Sequence, residues 1–327
     1  MTSSNFSLAC IGGGFAEKLL AEGKLIGTRL GARKTPFGVS QPVYLCEHSR
    51  GRYYLLLRHS DGTAPVPSSF ANPRANIFTL KELGVTHIVS WSGARAVSHN
   101  YRIGQFVLAD DLIDETHRMG TFFEHGAIMD LRQWPVFCPT LRSVLADTLS
   151  QLKLKYDETG TYLCSEGPRR ETRAEVRKYA LWGADLLGHS LAPEVFLARE
   201  LQMCYAGICF IHDFAETGSI HRPYEAGNLF NNPALTDQSW RANETTDQMP
   251  MILETLFEFL PGVKSLCSCQ NSLAELMDAG VLSRDFHEWF EMFQPAKTVS
   301  EEKKYPPLPV GLPGPLSNAS KKGIATH

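Results

Sequence analysis

The chain has 327 residues, 43% of them hydrophobic, and a formal net charge of −3. That is ample material for one large packed domain, and without a basic stripe it excludes nucleic acid as a partner. No apolar run is long enough to span a bilayer, and residues 1–7 are polar with no basic flank ahead of an apolar stretch, so neither a membrane span nor a signal peptide is predicted and a cytoplasmic location is expected.

In chain order, residues 7–14 are largely apolar and end in three glycines, reading as a strand followed by a tight loop. A second strand is predicted at 52–59, a helix at 71–83 closed by Gly84, a third strand at 87–93 and another at 106–109. Residues 139–154 have helical spacing, with Leu141, Val144, Leu145, Leu149 and Leu152 on one side. Strand 160–165, helix 172–181, strand 184–187 and helix 193–203 come next, the last with a favourable early proline and glutamate. Residues 205–214 form a long strand, apolar without a break as far as Ile211, as in a sheet covered on both faces. Residues 220–248 are polar and loop-like, while 249–260 and 285–293 read as helices. The alternation predicts an α/β three-layer sandwich, a central mixed sheet with helices on both faces. The fold is assigned to residues 1–294 and an extended, Pro-rich tail to 295–327. Strands ending in Gly, Ser, His or Asp place polar groups at their carboxyl ends, where open α/β sheets bind ligands.

Eight cysteines over this length do not make a disulfide framework. Cys10, Cys46, Cys138, Cys164, Cys204 and Cys209 are scattered through apolar surroundings and read as reduced, buried thiols. Cys267 and Cys269 form a C-x-C pair with no evident second pair, so no metal site is expected.

The segment Glu166-Gly-Pro-Arg-Arg-Glu-Thr-Arg-Ala-Glu175 resembles the E-G-P-R-F-E-T-x-A-E signature of the trimeric purine nucleoside phosphorylase and methylthioadenosine phosphorylase family. Further matches occur in that family's order: Ile11-Gly-Gly-Gly14, Arg58-His59, Asn76-Ile77, Leu80 to Ile88, Ile113-Asp114, Trp182 to Asp185, Pro193 to Glu200 and Cys204-Tyr-Ala206. Cys267-x-Cys269 is similar to a pair near the end of some bacterial members. The resemblance implies phosphorolysis of a purine nucleoside to free base and sugar 1-phosphate, with inorganic phosphate as co-substrate and no metal or organic cofactor. It also implies a homotrimer or dimer of trimers. A nucleoside hydrolase on the same fold and a non-catalytic purine binder are the alternatives.

Phosphorolysis passes through a positively charged, oxocarbenium-like sugar, so phosphate must be held beneath the sugar by a cation and several donors. By resemblance, Arg58 is that cation, with His59 beside it, Ser190 offering a hydroxyl, Ser90 and the Trp91 amide adding donors, and Gly14 a backbone amide. Asp213 stands where the family's acid or amide faces purine N7, and burial at the end of an apolar strand favours the protonated form that can assist the departing base. Asp there leans toward 6-aminopurines, although Ala215 occupies the place of a second aspartate. Gly93 is counted among the substrate-binding residues. Arg170 replaces a phenylalanine, His189 a methionine and His212 a threonine; Trp91 and Arg95 also depart from the pattern, making the pocket bulkier and more polar. Each residue keeps a plain structural reading beside this one: a strand-end salt bridge for Arg58, a hydrogen-bonded histidine for His59, a helix cap for Ser190 and a solvated acid for Asp213. The stretch 116–126, with His117, Arg118, Phe122, Phe123 and His125, resembles the segment that walls a neighbouring subunit's site.

Overall fold

The computed structural model describes residues 6–98, 100–124, 130–216, 239–262 and 267–291. The expected tail at 295–327 lies outside them. Unbroken apolar runs make the central strands: β1 (Leu8–Gly12), β6 (Gly51–Leu57), β7 (His87–Ala96) and β13 (Cys204–Phe214). β1 pairs parallel with β6 and β7, and β7 parallel with β13. On one side β6 continues antiparallel through β5 (Val43–His48) to β2 (Gly27–Gly31). On the other, β13 pairs antiparallel with β8 (Phe106–Leu108), which pairs parallel with β10 (Tyr156–Asp157). The far end of β7 also pairs antiparallel with β12 (Leu186–Gly188), and β11 (Thr161–Ser165) and β9 (Asp111–Glu115) extend this branch in parallel. The short strands β3 (Lys34–Thr35) and β4 (Gly38–Val39) form a separate hairpin. Eleven strands in one mixed sheet thus meet the predicted architecture.

The period of two along each strand divides the core. Ala9, Ile11, Leu56, Ile88 and Ile211 face one side, with Ile77, Phe78 and Leu80 of α2 (Pro73–Glu82) and Val195, Leu197 and Ala198 of α5 (Glu194–Glu200). Leu8, Cys10, Leu55, Val89, Trp91 and Phe210 face the other, with α1 (Gly14–Ala21), α3 (Pro139–Gln151) and α7 (Met249–Phe259). Of the five-residue stripe read from the sequence, Leu141, Val144, Leu145 and Leu149 are all 0% exposed, and each buried aliphatic contributes about 1.5–3 kcal/mol; Leu152 is the helix C-cap and only half-buried.

Several elements differ from the expectation. β7 runs three residues past Gly93, because the glycine stays in the strand: a Cβ there would meet His212, Phe210 and Phe15 at 3.1–3.3 Å. The stretch 220–248, expected as loop, contains α6 (Ser239–Asp247), anchored where the Thr245 hydroxyl donates to the Gly104 carbonyl at 2.9 Å; residues 217–238 lie outside the described residues. The meander β2–β5 has a mostly exposed edge strand without regular alternation, which is why no strand is predicted there. The helix expected at 285–293 is described as α9 (Glu288–Glu291), after the short α8 (Ala274–Asp278).

Candidate active site

The carboxyl ends of β1, β6 and β12 deliver three short segments to one place: Gly13-Gly14, Arg58-His59 and His189-Ser190. With Trp91, Ser92 and Gly93 of β7, His212 of β13, and Phe15, Ser68 and Pro168, they line a cavity of about 290 Å³. Gly13 is the N-cap of α1, so the helix begins at the cavity wall, where its exposed amides favour an anion.

Arg58 is 3% exposed. Its Nε and Nη2 donate to the two carboxylate oxygens of Glu194 at 2.5 and 2.8 Å, and Nη2 donates to Ser90 Oγ at 2.6 Å. The Tyr205 hydroxyl donates to Glu194 at 2.7 Å. Burial works against the Arg58 charge, and the attraction and hydrogen bonds of Glu194 outweigh it, holding the guanidinium above its ordinary value. Arg58 is therefore both a cavity residue and half of a buried ion pair, while Ser90 supports it from outside the cavity lining. Nothing in the sequence marks Glu194 as this partner except that it opens α5.

Ser190 lines the cavity and is no helix cap; Pro193 holds that position for α5. The Ser190 amide donates to the Tyr162 hydroxyl at 3.3 Å. Two buried nitrogens of cavity residues have no hydrogen-bond partner among the described residues: Trp91 Nε1 and His59 Nδ1. An indole N–H only donates, so an orphan there calls for an acceptor.

His189 is held by a ring of contacts. Arg95 Nη2 lies 3.4 Å from His189 Nε2, Ser165 Oγ lies 2.9 Å from Nδ1, and Ser165 Oγ also donates to Glu171 at 2.5 Å. Glu171 closes the ring with a buried ion pair to Arg95 at 2.6 Å. Since a guanidinium can only donate, Nε2 is the acceptor and Nδ1 carries the proton. Burial, then Arg95, push the His189 pKa down.

The Glu166–Glu175 motif serves largely as scaffold. Thr172 and Glu175 form a reciprocal capping box on α4 (Arg173–Leu181), and Glu166 accepts from Arg118 at 3.2 Å. Arg118 also donates to the His189 carbonyl at 2.8 Å, tying the 116–118 stretch to the cavity rim. Gly167 has φ +65° and packs where a Cβ would strike Ser68 at 2.9 Å. Phe122 and Phe123 are buried in this chain's own core; His125 lies outside the described residues.

The base side departs most from the expectation. Asp213 is 2% exposed, so it is not a solvated acid, but it does not line the cavity. Its Oδ2 accepts from Arg170 Nη1 at 3.1 Å and its Oδ1 from the Phe214 amide at 2.8 Å. The Arg170 side chain is 42% exposed. A register shift between Ile211 and Asp213 makes His212 a bulge residue. The extra residue changes which side chain meets which face, and it is His212 that reaches the cavity. Ala215 packs with Val97, Val176 and Leu187 in a small apolar cluster outside it.

Burial is the main cause that pushes His59 and His212 down to about 3 and His87 down to about 4. Arginines add to this at the first two: Arg58 and Arg118 at His59, Arg95 and Arg170 at His212. In the unfolded chain these rings titrate near 6.5. Below that pH the unfolded state binds more protons than the folded state, so stability falls as the pH drops toward 4. The urea midpoint is expected to decrease from about pH 7 to about pH 5; a midpoint that stays constant over this interval contradicts neutral buried rings.

A mixed α/β sheet with polar side chains and a helix start gathered at its strand ends offers the kind of cavity in which open α/β sheets bind ligands. Comparison with known proteins makes the class specific. The family model described as "Phosphorylase superfamily" matches residues 14–246, and the chain belongs to that family. An S-methyl-5'-thioadenosine phosphorylase of Saccharolobus solfataricus is 37% identical over 223 residues, 67% of this chain and 78% of the relative. A probable 6-oxopurine nucleoside phosphorylase of Thermococcus kodakarensis is 33% identical over 248 residues, 73% and 88% of the two chains. The solved methylthioadenosine phosphorylase from Schistosoma mansoni in its apo form superimposes with a TM-score of 0.70 at 21% identity, over 84% of this chain and 98% of that one, a likeness of fold. No helix among the described residues is long and apolar enough to cross a membrane.

Proposed function

We propose that this protein cleaves the N-glycosidic bond of a purine nucleoside, of adenine type or modified at the 5' position, by phosphorolysis. The observation that carries the reading is the cavity itself. It gathers the glycine-capped start of α1, Arg58, His59, Trp91 and Ser190, and two of its residues hold unpartnered buried nitrogens. The bound phosphate accepts from a donor such as the Trp91 indole, and one of its oxygens forms the new bond to the anomeric carbon. The electron pair of the broken C–N bond leaves with the base, whose N7 takes a proton or hydrogen bond. His189, fixed in one tautomer, and Gly93 border the sugar and base. Asp213 meets the base once Arg170 has moved from it. The methylthioadenosine phosphorylase relative supports the adenine-type, 5'-modified substrate, and family membership supports a homotrimer or dimer of trimers, which sedimentation at working concentration tests.

The deciding assay follows base release from adenosine, 5'-methylthioadenosine and inosine with and without phosphate. Phosphate-dependent release with sugar 1-phosphate is the expected result. Free sugar at an unchanged rate without phosphate identifies a hydrolase, and tight binding without cleavage a purine binder. Trp91→Phe keeps the ring contacts with Phe106 and Phe210 but removes the indole donor. The KM for phosphate is expected to rise about tenfold, the worth of one hydrogen bond to a charged group; an unchanged KM removes the Trp91 indole from the anion site and leaves only its backbone amide there.

A further inference from the structure

Away from the nucleoside cavity, three distant segments of the chain bring four cysteines together. Cys138 caps the start of α3, Cys204 begins β13, and Cys267 and Cys269 flank Ser268 in the C-terminal segment. All four sulfurs lie within 4.8 Å of one another, and Cys204 and Cys267 are 3.7 Å apart. The C-x-C pair that had no evident partner in the sequence thus meets two thiols that are 2% and 1% exposed.

We propose that Cys138, Cys204, Cys267 and Cys269 bind a structural zinc ion as a tetrathiolate. Four sulfurs at about 2.3 Å from one zinc form a tetrahedron with edges of about 3.8 Å, and the spacing seen here needs only small adjustments to reach it. Four protein ligands leave no open position, which is the mark of a structural rather than a catalytic centre. The scaffold is already in place. The Cys138 amide donates to the Tyr205 carbonyl at 2.8 Å, the Gln202 side chain to the Gln270 carbonyl at 2.9 Å and the Ser272 hydroxyl to the Arg199 carbonyl at 2.9 Å. Binding displaces the four thiol protons and leaves a net charge of −2 on the centre. Arg199 and Arg132 line the cavity that also holds Cys267 and Cys269 and supply compensating charge. The ion fastens the C-terminal segment, whose Trp289 and Phe290 pack into the core, to the start of β13 and α3. No residue of this cluster lines the nucleoside cavity, so the proposal stands apart from the reaction assigned there.

The test uses the full chain, produced with zinc in the medium and dialysed into metal-free buffer. About one zinc per chain is expected by elemental analysis, with zinc-edge absorption fitting four sulfurs at about 2.3 Å. Cobalt exchanged into the site is expected to give the intense visible bands of a tetrahedral thiolate centre. Cys269→Ser and Cys138→Ser are expected to lose the zinc and to melt at a lower temperature. If either variant fails to fold, the wild-type metal content and absorption spectrum still decide. A wild-type chain that neither carries nor takes up zinc overturns the proposal. So does zinc retained in Cys269→Ser, a spectrum dominated by nitrogen or oxygen ligands, or these four cysteines recovered as disulfides from protein denatured without reductant.

Discussion

Glu194→Leu is expected to lower the unfolding free energy by about 3–5 kcal/mol, the cost of breaking a buried ion pair from one side. Arg58 and Glu194 are 3% and 2% exposed, so water does not replace the lost carboxylate. The substitution strands the guanidinium and leaves the Tyr205 hydroxyl without its acceptor. Arg58→Met is expected to destabilise for the mirror reason, leaving Glu194 charged and buried. The double variant Arg58→Met/Glu194→Leu is expected to recover most of the loss, because two apolar side chains of similar size can replace a buried pair at little cost. Its catalytic behaviour is expected not to recover: kcat/KM for phosphate should stay about 10²–10³-fold down, the effect of removing one preorganised charge stabiliser. Urea melts of the three variants with a phosphate titration of each separate the two roles. A Glu194→Leu loss below about 1 kcal/mol means that the pair is not desolvated. Full phosphate dependence in the double variant means that Arg58 only holds the fold.

The separation of roles at Arg58 illustrates what the sequence conveys. Local signals are strong for elements whose residues report their own environment. The unbroken run to Ile211 announces a strand buried on both faces, and Leu141, Val144, Leu145 and Leu149 announce the inner side of α3. Thr172 and Glu175, three apart before a helix, announce a cap. The cavity's composition is legible through family resemblance, which indicates Arg58, His59, Trp91, His189, Ser190 and His212 as neighbours. What pairs with what is not legible. Glu194 is 136 residues from Arg58, Asp213 is 43 from Arg170, and the cysteines come from three segments. No periodicity encodes such contacts; they arise from which strand ends the topology brings together. The bulge at His212 is equally silent, since one extra residue leaves the apolar pattern intact up to Ile211 and changes only the facing of the residues beyond it. Ala215, placed in the site by family resemblance, lies beyond the strand's last residue and packs in a small apolar cluster instead.

The largest expected effect on the chemical step lies at the pair Arg170–Asp213. Asp213→Asn is expected to reduce kcat/KM for adenine-type nucleosides by about 10²–10⁴-fold, the range for loss of a positioned general acid, or to shift preference toward 6-oxopurines. Arg170→Phe is expected to act in the opposite direction. The half-exposed guanidinium is the movable member of the pair, and contacts of exposed ion pairs are worth about 1 kcal/mol or less. Asp213 is buried, however, so opening the pair leaves a carboxylate away from water, and substrate binding must supply that energy. A phenylalanine removes the competing cation and gives the base an apolar wall. With the Asp213 side chain freed from that contact, turnover should rise. The two substitutions together should match Asp213→Asn alone, because the benefit of Arg170→Phe passes through the acid it uncovers. Unchanged kinetics of Asp213→Asn on both base types remove the acid from the mechanism. A fall in turnover with Arg170→Phe, matched by a weaker substrate KM, makes Arg170 itself the group that holds the base; the ion pair is then its resting position rather than a barrier.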